Sequence, residues 1–203
     1  VNSMGLTGIA FAGYDTGGFV GDTNKNLFAR WMSIAALSPF FRAHTMINTR
    51  DSEPWSYGEE VEQICRNYIK FRYQLMPYIY SLFYDASKTG MPVQRSLALN
   101  CPHDWRIYQR EYQNQYLFGP SILVAPVESH KELVKVYFPE GEWYDLYTGR
   151  KEAGNREAII ESPIHRLPIF IKAGSILPMQ RAAAHTGIRP TELILHVYGG
   201  SGS

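Results

Sequence analysis

Gly13-Tyr14-Asp15-Thr16-Gly17-Gly18-Phe19 is the stretch on which the fold turns. Ahead of it, residues 6–12 form an apolar run that fits a strand buried on both faces, with residues 8–13 as its centre, although periodicity in so short a run does not exclude a helix. The run opens into a carboxylate, two glycines and an aromatic ring, the order of a strand feeding a loop at its C-terminal end. Gly17 and Gly18 accept backbone angles closed to other residues, so Asp15 and Phe19 can turn toward one pocket. Barrel enzymes place their chemistry at that end of their strands, and polar groups beside a ring suit a sugar.

Working outward, Val1 to Leu6 carries no start signal of its own. Asp22 or Thr23 is predicted to cap a helix over residues 24–37, with Leu27, Trp31, Ile34 and Ala35 on one face. Pro39 ends it, and Pro39-Phe40-Phe41-Arg42-Ala43-His44 reads as the next strand. Strand, helix, strand is the unit of a parallel sheet, and it sets Asp15 and His44 at the same end of adjacent strands. A polar loop over residues 46–57 leads to Ser56-x-x-Glu59, the form of a capping box. The long helix that follows carries Val61, Ile64, Tyr68, Phe71, Leu75, Tyr78 and Leu82 as one apolar stripe. Pro77 predicts a kink or break over residues 74–76, and Gly90 is a C-terminal stop.

Beyond Gly90 the pattern changes to short strands over residues 121–127, 133–138, 143–147, 168–171 and 193–198, separated by Gly, Pro and Asn turns. That spacing predicts an antiparallel sandwich. The fold class is therefore α/β followed by all-β, with the division near residue 92: an α/β part over 1–92 and a β part over 93–203. Gly199-Gly200-Ser201-Gly202-Ser203 has the composition of a flexible linker or a truncated turn.

Composition narrows the function classes. Lysine and arginine number 20 against 19 acidic residues, so a net charge of +1 gives no electrostatic reason to expect nucleic acid or an anionic membrane as partner. No apolar run approaches the roughly 18 residues of a membrane span, and no signal-peptide pattern is visible, so a soluble protein of open localisation is expected. Cys65 and Cys101 are read as unpaired thiols. The six histidines show no paired ligand spacing, so no metal and no cofactor is expected, and nucleophile-elbow, Walker and dinucleotide fingerprints are absent. The 14 tyrosines, 10 phenylalanines and 4 tryptophans serve a sugar site or a dense core equally well.

Among single residues, Asp15 reads as a site carboxylate, a turn cap or the partner of Arg42. His44 follows Arg42 at strand spacing and shares its end of the sheet with both charges, which favours ligand contact. Arg42 stays protonated and therefore positions rather than catalyses. Phe19 stacks on a sugar or packs under its loop. Asp22 and Asp51 read as a helix cap and a loop carboxylate, and Glu53-Pro54-Trp55 as a surface loop pinned by its tryptophan.

The chain resembles glycoside hydrolase family 31, the α-glucosidase and α-xylosidase family. The resemblance rests on Gly5-Leu6-Thr7-Gly8, the two runs quoted above, Arg30-Trp31, Glu53-Pro54-Trp55, and Arg72-Tyr73-Gln74-Leu75-Met76-Pro77-Tyr78-Ile79-Tyr80. It continues through Gly119-Pro120-Ser121-Ile122-Leu123-Val124-Ala125-Pro126-Val127 and Gly174-Ser175-Ile176-Leu177-Pro178. It implies that residues 1–92 are the last two βα units of a (β/α)8 TIM barrel and 93–203 the antiparallel β-sandwich that follows it, with a further C-terminal sandwich missing. The family's nucleophile and acid/base aspartates belong to a Trp-x-Asp-Met-Asn run and an Arg-x-x-x-Trp-x-Gly-Asp run on earlier strands. Neither run occurs here, so no catalytic residue is assigned in this chain, and both aspartates are expected upstream of Val1.

By the same resemblance, His44 hydrogen-bonds the sugar in the −1 subsite, Phe19 lines that pocket, and Asp15 and Arg42 position the catalytic groups. The implied activity is retaining hydrolysis of terminal α-linked glucose from oligosaccharides. The partners are an α-linked oligosaccharide or glucoside and either the missing N-terminal barrel portion or another chain, and the chain alone is expected to be inactive. The rival class is a non-catalytic carbohydrate-binding or structural β-sandwich module with Trp143 and Tyr144 as its platform. A small complete enzyme using Asp15 and His44 as acid and base is a third reading.

Overall fold

The computed structural model describes residues 1–200, so the end of the linker-like tail, residues 201–203, lies outside the described residues. Five α-helices precede or interrupt the sheets: α1 Asn2–Leu6, α2 Lys25–Ala35, α3 Glu59–Gln74, α4 Met76–Thr89 and α5 Leu97–Asn100. The first six residues, which carry no start signal in their sequence, differ from expectation by forming a helical turn. Val1 stands at the N-cap of α1 without a side-chain cap, and its carbonyl accepts the Gly5 amide at 3.1 Å. A backbone acceptor alone starts this turn, which is why no capping residue announces it.

Asn24, not Asp22 or Thr23, caps α2, its side chain accepting the Leu27 amide at 3.0 Å. The cap must stand next to the first helical residue to reach the third amide. Asp22 instead accepts the Arg50 amide at 2.8 Å, and the Thr23 hydroxyl binds the Gly17 carbonyl.

The capping box does not form. Ser56 sits in a 3₁₀ turn, Pro54–Tyr57, and donates to Glu53 at 3.2 Å, while Gly58 at φ 94° starts α3 with no side-chain cap. Pro77 acts as expected: α3 ends at Gln74, Leu75 intervenes, and Pro77 falls in the first turn of α4, where its missing N–H leaves no bond unmade. Gly90 closes α4 in the left-handed region at φ 75°.

The strands expected over residues 8–13 and 39–44 carry no ladder. The two extended segments meet in one parallel bridge, Thr16 to Ala43. A strand exists by its neighbours' hydrogen bonds, and here the bridge contributes one, Thr16 N to Arg42 O at 3.0 Å, with one more beyond it from Met46 N to Phe19 O at 2.8 Å.

Regular sheet begins at β1 Gln94–Ser96 and continues with β2 Tyr116–Phe118, β3 Ile122–Val124, β4 Leu133–Phe138, β5 Glu142–Asp145, β6 Lys151–Ala153, β7 Arg156–Glu161, β8 Ile169–Lys172, β9 Ile176–Met179 and β10 Ile194–Val197. One antiparallel sheet has the order β1-β2-β3-β8-β5-β6, and β4-β7 and β9-β10 form ribbons. The central strands of the large sheet, β2, β3 and β8, are buried on both faces over most of their length. Tyr116, Phe118, Ile122, Val124, Ile169 and Ile171 face α2, α3 and α4. The alternate residues Leu117, Leu123 and Phe170, with Trp143 of β5 on the same face, pack against Val136 and Phe138 of the β4-β7 ribbon. The hydrophobic core that starts in the helices thus runs without interruption into the sheet.

Candidate functional site

The loop after residue 12 is seated on α2. Gly17 and Gly18 both adopt φ 92°, and a Cβ on Gly17 would lie 2.9 Å from the Phe28 ring. Phe28 is fully buried and stacks on Tyr57 at 4.2 Å, so the ring cannot yield. Only glycine combines that backbone with that approach. Trp31 lies under Gly18 and 5.9 Å from the Tyr14 ring, whose hydroxyl meets Ser38 Oγ at 2.8 Å. Burial pushes the Tyr14 phenol up, holding it as a neutral hydrogen-bonding group.

Four expected residues come together on this base. Arg42 donates from Nε at 3.2 Å and from a terminal nitrogen at 2.8 Å to one Asp15 oxygen. The rings of Phe19 and His44 stack with centroids 5.5 Å apart and an interplanar angle of 21°. The Met46 amide donates to the Phe19 carbonyl at 2.8 Å, tying the second segment to the first loop. Phe19 remains 44% exposed, so the pair faces outward as an open aromatic and imidazole surface beside an ion pair. A ring face next to bidirectional hydrogen-bonding groups is what a pyranose presents its own apolar face and hydroxyls to.

Two arginines that pattern reading passes over hold this arrangement in place. Arg72 is buried and donates to the carbonyls of Ala36 at 2.9 Å, Ser38 at 2.7 Å and Pro39 at 3.0 Å. It therefore satisfies the carbonyl of Ala36, the C-cap residue of α2, and those of Ser38 and Pro39 just beyond it, and so sets the exit toward Arg42 and His44. Burial lowers its guanidinium to about 10. Arg30, also buried, reaches from α2 to the backbone of the β part: Ser162 O at 2.6 Å, Lys131 O at 2.8 Å and Pro163 O at 3.1 Å, with Ser162 Oγ at 2.8 Å.

Other expectations are corrected. Trp55 is 66% exposed and pins nothing; buried Tyr57 anchors that loop, with the Arg50 guanidinium 4.4 Å over its ring. Trp143 is no platform: it is 2% exposed, and its Nε1 donates to Pro139 O at 2.9 Å. Tyr144 donates to the Gly199 carbonyl at 2.7 Å. The strand pleat turns Trp143 into the core and Tyr144 to the opposite side. Cys65 and Cys101 are free, and burial pushes the Cys65 thiol up to about 12. Among the described residues no group of three His, Cys, Asp or Glu gathers as a metal site, and no helix is long and apolar enough to cross a membrane.

Comparison with known proteins decides the relationship. Residues 1–82 match the profile of the glycosyl hydrolases family 31 TIM-barrel domain, and residues 90–177 that of the glycosyl hydrolase family 31 C-terminal domain. The chain belongs to glycoside hydrolase family 31. Its fold is that family's TIM-barrel part followed by its C-terminal β domain. It is 38% identical over 201 residues to alpha-glucosidase 2 of Bacillus thermoamyloliquefaciens, covering 98% of this chain and 25% of that protein. A probable glucan 1,3-alpha-glucosidase of Oryza sativa subsp. japonica is 40% identical over 180 residues, 88% of this chain and 19% of that one. A mutant family 31 dextranase of Flavobacterium johnsoniae complexed with isomaltotriose superposes with a TM-score of 0.90 at 32% identity, over 98% of this chain and 25% of its own. The cycloalternan-forming enzyme of Listeria monocytogenes, complexed with a pentasaccharide substrate, gives 0.89 at 28% identity, over 97% and 20%. This family 31 chain thus spans about a quarter or less of the length of these relatives.

Proposed function

We propose that the chain supplies one wall of the sugar pocket of a retaining α-glucosidase-like hydrolase that removes terminal α-linked glucose from oligosaccharides. The observation that carries this is the Phe19 and His44 stack beside the Asp15 and Arg42 pair. His44 hydrogen-bonds sugar hydroxyls in the −1 subsite, Phe19 covers a ring face, and Asp15 and Arg42 hold the rim in shape. The matched ranges support a division into a barrel portion over 1–92 and a proximal C-terminal β-sandwich domain over 93–203.

Retention of anomeric configuration needs a nucleophilic carboxylate and an acid/base carboxyl about 5 Å apart. The Asp15 oxygen that would attack accepts two bonds from Arg42, and Asp22 is engaged by the Arg50 amide. These carboxylates act as structural acceptors. The nucleophile and the acid/base group come from barrel strands upstream of Val1 in the same protein or from another chain, and the 203-residue chain alone is inactive. The test is twofold. Isomaltotriose should shift the His44 ring resonances, with the shift lost in Phe19→Ala, and an aryl α-glucoside should not be turned over. Turnover abolished by Asp15→Asn, or no isomaltotriose response at His44, would sink the reading.

A further inference from the structure

The β part exposes a tryptophan whose exposure nothing in its packing explains. Trp105 is 65% exposed at one side of a groove of about 450 Å³ formed with Asn100, His103, Arg106, Glu140 and Asn155. The Arg106 guanidinium lies 5.4 Å over the indole and 5.9 Å over the ring of buried Tyr137. It therefore backs one indole face with charge and anchors it to the core, leaving the other face open.

Both walls of the groove are rigid. The loop carrying Trp105 is held by Asp104, whose Oδ1 accepts the Arg106 amide at 3.1 Å and whose Oδ2 accepts the Tyr137 hydroxyl, and by Tyr108, which donates to Pro102 O at 2.9 Å. Opposite, the turns bearing Glu140 and Asn155 are locked backbone to backbone. Gly154 N donates to Gly141 O at 2.6 Å, and a Cβ at 154 would lie 2.4 Å from two carbonyl oxygens. Asn155 stands in the left-handed region at φ 57°, which an asparagine tolerates. Between these walls the side chains of Asn100, His103, Glu140 and Asn155 make no hydrogen bond to any other described residue, so their donors and acceptors face the groove and solvent.

An exposed, backed aromatic face rimmed by free amide, imidazole and carboxylate groups matches a pyranose, with an apolar ring face and hydroxyls at its edge. We infer that this groove is a second, non-catalytic glycan site that holds a segment of an α-glucan chain away from the Phe19 and His44 wall, Trp105 stacking on one residue of the glucan. The choice of α-glucan rests on the proposed function; the choice of a sugar rests on the groove. One stacked ring with a few exposed hydrogen bonds gives millimolar affinity.

The experiment titrates the full chain with maltohexaose and, separately, with soluble dextran, and maps oxidation of each tryptophan by N-bromosuccinimide with peptide mass spectrometry. Glucan is expected to protect Trp105 while buried Trp143 stays unreactive throughout. Binding should weaken about tenfold or more in Trp105→Ala, partly return in Trp105→Phe, and persist at this site in His44→Ala. Trp105→Ala should melt like the parent, because the indole it removes is largely exposed. Equal Trp105 oxidation with and without both glucans overturns the inference, and that is also the result if a polypeptide segment fills the groove. Glucan binding lost in His44→Ala but kept in Trp105→Ala overturns it as well while leaving the proposed pocket standing. Binding lost in Trp105→Ala and kept in His44→Ala supports the second site independently of the first.

Discussion

The loops that carry Asp15, Phe19, Arg42 and His44 and the sheet that carries Phe118, Leu123 and Phe170 are both made of extended chain, yet different forces hold them. In the sheet, β3 pairs with β2 on one side and β8 on the other, and side chains are covered on both faces. In the loops a single parallel bridge joins the two segments. Their shape comes instead from below: a glycine pair seated on Phe28 and Trp31, and Arg72 clasping the carbonyls where α2 ends. The sheet is specified by its ladder, whereas the site is specified by one helix and the charges that grip it.

Three substitutions sharpen or break that contrast. Phe170→Ala should cost the most, about 3–5 kcal/mol, because Phe170 is buried and packs edge-on against Phe138 at 4.7 Å. Denaturant unfolding should show a lower midpoint and an unchanged slope; a loss under about 1 kcal/mol would mean the sheet core is not the stabilising centre. Arg72→Met should cost about 2–3 kcal/mol by stranding three carbonyls, and hydrogen exchange should rise at the Thr16 amide, which bonds Arg42 O. Faster exchange at Leu123 instead would show that Arg72 supports the sheet rather than the site. Asp15→Asn should change stability by no more than about 1 kcal/mol, since Arg42 is largely exposed, while isomaltotriose affinity falls. A larger stability loss with affinity intact would make the pair a structural bond.

Legibility follows the same divide. The α3 and α4 stripe, the break at Pro77 and the stop at Gly90 are readable because a helix writes its contacts three and four residues apart. Strands β4, β5 and β8 are readable as apolar bursts, but β1 and β2 are three residues each and covered on both faces, so they show no alternation. β7, Arg-Glu-Ala-Ile-Ile-Glu, looks like surface because only Ala158 and Ile160 turn toward the core while its other residues are exposed. The turn that Val1 starts is silent in sequence, since only main-chain atoms hold its first bond. At the site, the order along the chain names all four side chains that meet. Pattern alone misses Arg30 and Arg72, although each falls on the apolar stripe of its helix, between Leu27 and Ile34 and between Tyr68 and Leu75. A charge at such a position is a sign of a buried clasp. Trp143 and Trp105 are separated by the fold alone, since their surroundings come from distant turns.

Arg30 carries one more consequence. Three of the four groups it grips in the β part are main-chain carbonyls, those of Lys131, Ser162 and Pro163. The joint between helix and β part therefore recognises the path of the chain and is nearly blind to which side chains line it. Residues 131 and 163 are free to drift through evolution without loosening the grip, so the two parts can diverge in sequence at their contact while keeping their mutual orientation.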